Sequence, residues 1–245
     1  MEKNNVLITS NEKIAKDIYE LTLELESNPI PGQFINISLN RPDLLLRRPI
    51  SISNYENNRL KVIYKTIGNG TKFLSTYQVG QRLDVLHPLG NGYPLVKGKN
   101  VLIVGCGMGV APMLFLAKEL SKDNNLTIIL AYQNKESAYL DKAFDNYGNV
   151  IITTDDGSIG YKGNVLEYLK ENKINFDYIY ACGPMIVLKN LDLKYRDIKE
   201  GYLSFEERMA CGIGACYGCV INTKNGLRRV CKDGPIFKLG EVVYD

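Results

Sequence analysis

The chain has 245 residues, 45% of them hydrophobic and 23% charged, with a net charge of +3. That length suggests one or two domains at about 150 residues apiece, and the composition is that of a globular protein. The charge is too small for a nucleic-acid surface, and no apolar run reaches the roughly 18 residues that cross a membrane.

The opening stretch MEKNNVLITSNEK is polar and lacks a signal peptide's apolar core. The expected location is therefore the cytoplasm, where thiols stay reduced. Six cysteines in that setting argue for metal or redox work rather than disulfides.

The first hundred residues read as short strands. IYELTLEL places Tyr19, Leu21, Leu23 and Leu25 on one face, the period of a half-buried strand. PGQFINISL, RPISIS, LKVIYKTI and RLDVLHPLG follow, separated by Asn/Gly-rich turns. Many short strands with regular turns predict a small antiparallel barrel. Within it, Arg47 and Arg48 precede Pro49 in an apolar setting. Guanidinium groups suit phosphate, so LRRPISI is either an anion site or a surface basic pair. His87, the single histidine, reads as a loop residue at the barrel rim rather than a general base.

Near Lys97 the texture changes. KNVLIVG is a continuous apolar run, as in a buried parallel strand. APMLFLAKELSKD has helical period, LTIILAY reads as a strand, SAYLDKAFDNY as a helix, NVIITTDDG as a strand, NVLEYLKENK as a helix, and FDYIYACG as a strand. Such alternation predicts a doubly wound parallel sheet. In VLIVGCGMGVAPM, Gly105, Gly107 and Gly109 lie between strand and helix, where backbone amides can meet a pyrophosphate. The spacing is G-x-G-x-G rather than G-x-G-x-x-G, and Gln133, Asn134 and Lys135 follow the second strand where an acid commonly reads the ribose. Asp155 and Asp156 read as a strand-end turn. Cys106 reads as a small packing residue. Cys182, at a strand's carboxyl end, either contacts a nicotinamide or packs.

Beyond Ser204 the chain becomes rich in glycine and cysteine. Cys211, Cys216, Cys219 and Cys231 are spaced C-x4-C-x2-C-x11-C, and the first three match the plant-type 2Fe-2S spacing. Gly212, Gly214 and Gly218 allow the tight loop such a cluster needs. The rival is structural zinc, which usually shows two C-x2-C pairs. Lys232 and Asp233, beside Cys231, are either interface charges or simply solvent-exposed.

Taken together, RPIS, the GNGT turn, GCGMGVAP, ACGPM and the cysteine tail resemble the ferredoxin–NADP reductase superfamily. LRRPISI, TTDDGSIGYKG, ERMACGIGACYGCV and VCKDGPIF resemble, within it, the electron-transfer subunits of type B dihydroorotate dehydrogenase. The resemblance implies a multi-domain β plus α/β protein: an FAD-binding barrel over 1–97, an NAD-binding sheet over 98–203 and a 2Fe-2S module over 204–245. It implies FAD contacts at Arg48, Pro49, Ile50, Ser51, Ile63, Tyr64, Lys65, Gly70 and Thr71. NAD would be framed by Gly105, Gly107, Gly109, Cys182, Gly183 and Pro184. The implied partner is an FMN-containing catalytic subunit, in a heterotetramer of two plus two. The implied relay runs from FMN through 2Fe-2S and FAD to NAD+. Cys106 and Ala111 depart from the Gly and Pro expected in the nucleotide loop. A flavin subunit of a ferredoxin-dependent NADP reductase or of a hydrogenase, and a zinc-stapled nucleotide-binding module, are the alternatives.

Overall fold

The computed structural model describes residues 2–244. Six strands close an antiparallel barrel: β1 (Glu2–Ala15), β2 (Ile18–Glu24), β3 (Phe34–Ser38), β4 (Arg48–Glu56), β5 (Arg59–Lys65) and, after the short helix α1 (Asn69–Leu74), β6 (Arg82–Leu89). Their order is β1-β2-β5-β4-β3-β6, so no edge is left open. Val6, Ile8, Leu21, Leu23, Ile35, Ile37, Ile52 and Val62 fill the interior. Leu21, Leu23 and Leu25 share the buried face their spacing predicted, with Tyr19 packed at its margin.

The polar N-terminal stretch is the barrel's longest strand. β1 spans 14 residues and pairs with both β2 and β6. His87 corrects an expectation: it lies inside β6, is 0% exposed, and is hydrogen-bonded to Asn4 and Ser27. Burial lowers its pKa, so the ring is neutral and structural.

The second half builds a seven-stranded sheet. β7 (Asn100–Cys106) leads through a 3-10 turn, Gly107–Gly109, into α2 (Val110–Leu120). Then come β8 (Asn125–Tyr132), β9 (Asn149–Thr154), β10 (Tyr161–Lys162), α3 (Val165–Glu171), β11 (Tyr178–Cys182), α4 (Met185–Tyr195) and β12 (Glu200–Ser204). The order is β10-β9-β8-β7-β11-β12 followed by β15 (Ile236–Lys238) from the tail, with β7 at the switch point between β8 and β11. Ligands of open α/β sheets sit at that point, outside the strands' carboxyl ends.

The expected helix over SAYLDKAFDNY does not form. Two 3-10 turns, Lys135–Ser137 and Asp141–Phe144, take its place. Leu140 stands between them at φ 61°, a left-handed conformation that no continuous α-helix contains. The break turns Tyr139 inward.

The tail folds as the hairpin β13 (Val220–Thr223) and β14 (Gly226–Arg229), the turn α5 (Val230–Asp233), and β15 (Ile236–Lys238), which pairs antiparallel with β12. The tail is thus stitched to the sheet edge. α2 is buried from Val110 to Ala117, because it lies between two cores. Its Phe115 enters the barrel core, while Met113 and Leu116 enter the sheet core. Among the described residues, no helix is long and apolar enough to cross a membrane.

Candidate functional site

Two clefts adjoin where barrel, sheet and tail meet. The first, of about 240 Å³, is lined on the barrel side by Phe34, Pro49, Ile50, Ser51, Ile63, Tyr64, Lys65 and Thr71. Met108 from the 3-10 turn and Ala111 and Pro112 from the start of α2 line it too, with Phe205, Glu206 and Met209 from the tail. All the residues predicted for the flavin line this cleft except Arg48 and Gly70. Those two pack on each other beside it: a Cβ on Gly70 would collide with the Arg48 guanidinium. That guanidinium donates to the carbonyl oxygens of Leu44 (2.9 Å) and Leu46. Thr71, in the first turn of α1, accepts through Oγ1 from Ile67 N at 3.1 Å. Tyr64 stacks on Tyr19 and donates to Asn11 Oδ1 at 2.8 Å.

The second cleft, of about 290 Å³, lies at the carboxyl ends of β7, β8 and β9 and is lined by Cys106, Gly107, Met108, Gln133, Tyr139, Asp155, Asn164 and Pro184. Lys65 and Met108 line both clefts, so the two adjoin there. Of the three loop glycines, only Gly107 faces open space, at φ +56°. A Cβ on Gly105 would lie 2.9 Å from the Val110 Cα, and one on Gly109 would strike the Cys182 carbonyl. Besides lining, with Gly107, Gly183 and Pro184, a neighbouring cleft of about 330 Å³, Gly109 like Gly105 leaves no room for a side chain where strand meets helix. Gly183 does the same against Cys106, whose Cβ lies 2.7 Å from the added atom.

Tyr139 braces the loop by donating to the carbonyls of Gly107 (3.0 Å) and Met108 (3.2 Å). Sequence reasoning missed it because its segment read as a helix. Burial, then Asp155, pushes the Cys106 thiol up to about 12. Burial raises Cys182 likewise, and its side chain packs at 1% exposure outside both clefts. Both thiols are neutral and unreactive at physiological pH.

The tail brings the four cysteines into two pairs. Cys211 is the neighbour of Cys216, and Cys219 that of Cys231, whose backbone amide points at the Cys219 sulfur. Backbone amides turn toward the sulfurs: Ala215 N to Cys211 Sγ at 3.3 Å, Gly214 N to Cys231 Sγ at 3.1 Å, and Cys231 N to Cys219 Sγ at 3.4 Å. Gly212 and Gly214, at φ +70° and +84°, give the loop the inward turn this needs. Burial alone would raise the Cys211 thiol, but N–H donors led by Ile213 pull it down to about 6. This environment favours thiolate at Cys211, whereas burial pushes the Cys231 thiol up to about 12. Among the described residues, no three metal-binding side chains converge on one ion. Two thiol pairs suit a two-iron cluster, with two protein ligands to each iron, better than a single tetrahedral zinc.

Arg229 clamps this loop. It pairs with Asp233 at 3.0 Å, donates to Gly214 O at 2.9 Å, and lies 4.9 Å from the Tyr217 ring centre. Asp233 is therefore an internal partner rather than a free interface charge. The Arg229 guanidinium holds its carboxyl below the ordinary 3.8. A depressed folded pKa contributes stability above about pH 4 and loses it as pH falls through the folded value. The Asp233→Asn variant is expected to release iron faster than the parent at pH 6 and to show a smaller acceleration below pH 4. Bleaching of visible absorbance against pH measures both.

Residues 206–243 match a family described as the iron-sulfur cluster binding domain of dihydroorotate dehydrogenase B. The chain is 43% identical to the dihydroorotate dehydrogenase B (NAD(+)) electron transfer subunit of Geobacillus sp. (strain WCH70), over 99% of each chain. It is 40% identical to the protein of the same description from Shouchella clausii, over 99% of this chain and 98% of that one. Among solved structures, an NADH-dependent reduced ferredoxin-NADP oxidoreductase superposes with a TM-score of 0.90 at 29% identity, over 99% of this chain and 91% of the other. Phthalate dioxygenase reductase shares the fold, with a TM-score of 0.63 over 77% of this chain and 63% of that one.

The barrel, the sheet cleft and the paired cysteines define a flavin- and iron–sulfur-dependent oxidoreductase of the ferredoxin-reductase fold. The chain belongs to the family of dihydroorotate dehydrogenase B (NAD(+)) electron transfer subunits.

Proposed function

We propose that this chain carries electrons from a dihydroorotate-oxidising catalytic subunit to NAD+. Cys211, Cys216, Cys219 and Cys231 hold a 2Fe-2S cluster, the barrel cleft holds FAD, and the sheet cleft holds NAD. The observation that carries this reading is the 43% identity across essentially the whole of both chains, together with the amide-lined cysteine pairs. When bound, the cluster supplies one-electron transfer and the flavin links it to two-electron hydride chemistry.

The chain's own residues position and insulate. Ser51 offers a hydroxyl to the flavin ring, and Ile50, Ile63 and Phe34 give it apolar walls. Gly70 and Thr71 present backbone amides to the pyrophosphate, and Arg48 turns from its loop carbonyls to the same anion. Gly107, braced by Tyr139, presents its amide to the nicotinamide dinucleotide. Pro184 closes that cleft from the sheet side. No proton-transfer catalyst is needed, which fits a neutral Cys106 and a buried His87.

The catalytic partner carries FMN, and the complex holds two copies of each subunit. All six cysteines are free, as thiols in a reducing cytoplasm are. The test is reconstitution with a dihydroorotate-oxidising subunit. Dihydroorotate-dependent reduction of NAD+ should require both chains and should exceed that of NADP+, since Asp155 and, among the described residues, no arginine lines the sheet cleft. Activity with NADP+ alone, indifferent to dihydroorotate, would instead favour a ferredoxin-dependent NADP reductase.

A further inference from the structure

Asn36 lies on β3 and is 0% exposed. Its neighbours Ile35 and Ile37 point into the barrel core. Phe34 and Asn36, two residues apart, therefore share the outward face. That face meets the tail: Phe34 belongs to the apolar cluster containing Cys219 and Cys231, and it also lines the flavin cleft. Asn36 Nδ2 donates to the main-chain oxygen of Cys211 at 3.4 Å. A Cβ on Gly212 would collide with that same nitrogen. The Asn36 main-chain oxygen accepts from Arg47 Nη1 at 3.2 Å, which anchors the strand from behind.

One observation sets this asparagine apart from a packing residue. Its Oδ1 is buried and has no hydrogen-bond partner. A buried acceptor without a partner destabilises a fold, whereas an apolar residue of the same shape costs nothing there. The side chain is therefore poorly suited to packing alone, and its one bond goes to the first cysteine of the cluster loop.

We propose that Asn36 is a positioning residue that seats the Cys211 segment on the flavin barrel. It makes β3 the mechanical link between the two cofactor sites. Along β3, the flavin-lining Phe34 and the loop-holding Asn36 are about 7 Å apart. Removing the amide frees the loop at its first ligand and takes an N–H dipole away from the cluster, which disfavours the reduced, more negative form. This inference rests on the cluster assignment made above.

The experiment compares wild type with Asn36→Leu and Asn36→Asp in the holoprotein. Iron and labile sulfide are assayed first. A wild type without them overturns the cluster assignment itself. With iron present, both variants are expected to keep it, to change the electron paramagnetic resonance spectrum of the reduced cluster, and to shift its redox equilibrium toward the oxidised form. The redox equilibrium is expected to shift about tenfold. A tenfold shift is about 59 mV for a one-electron couple. Asn36→Leu should melt no lower than wild type, since the unpartnered acceptor is gone. Should it fail to accumulate, the near-isosteric Asn36→Asp reads the same spectrum and potential. Variants with full iron and the wild-type spectrum and potential would overturn the proposal and leave Asn36 a packing residue.

Discussion

Cys216→Ser is expected to abolish the iron–sulfur cluster while leaving the flavin bound. Cys219 and Cys231 are 2% exposed and belong to the tail's apolar cluster, so replacing either disturbs folding as well as ligation. Cys216 is exposed and lies outside that cluster. Its loss removes a thiolate without opening a cavity. Removing even an outer partner of a metal ligand costs about 10–100-fold in affinity, and losing the ligand itself should cost more. Iron and labile sulfide should fall to background while the flavin spectrum keeps its amplitude. Full iron in this variant would refute the assignment of Cys216 as a ligand. Loss of flavin as well would show that the tail and the barrel fold as one unit.

The second large effect is expected at Gly109. An added methyl meets the Cys182 carbonyl carbon at 2.5 Å and the Gly183 nitrogen at 2.7 Å. These are backbone atoms held by β11, which pairs with β7 on one side and β12 on the other. Neither can rotate away as a side chain would. Gly109→Ala should therefore cost about 3 kcal/mol, the upper part of the usual range for overpacking, or roughly 10 °C in melting temperature for a chain of this size. The same displacement moves the loop that carries Gly107. Reduction of the bound flavin by NADH should weaken at least tenfold in apparent affinity, while dithionite still reduces it fully. Unchanged NADH titration and melting would mean that the loop relaxes without cost and that its geometry does not set the nucleotide site.

Parts of the molecule were readable at short range. The alternation in IYELTLEL and the apolar run of KNVLIVG depend only on neighbouring residues, and β2 and β7 follow them. The strand–loop–helix passage through GCGMGVAP also depends on local glycines and proline. The C-x4-C-x2-C spacing constrains a loop from within. Long-range partners decided the rest. The polar segment at the N-terminus carries little strand signal, yet pairing with β2 and β6 makes it β1. His87 looked like a rim residue because its sequence neighbours are a leucine and a proline. Asn4 and Ser27, brought from other parts of the chain, satisfy it inside the barrel. The helical period around Tyr139 lost to the inward pull of its hydroxyl on the Gly107 and Met108 carbonyls.

The amino-acid sequence by itself determined the element types, the cysteine loop and the family wording, because propensity, periodicity and ligand spacing are properties of adjacent residues. Only the tertiary structure decided which glycine faces open space, which thiols pair, and how Phe34 and Asn36 tie the flavin cleft to Cys211. Those are contacts between segments up to 175 positions apart, and closing such loops is governed by the packed cores around them, not by the residues next to them in the chain.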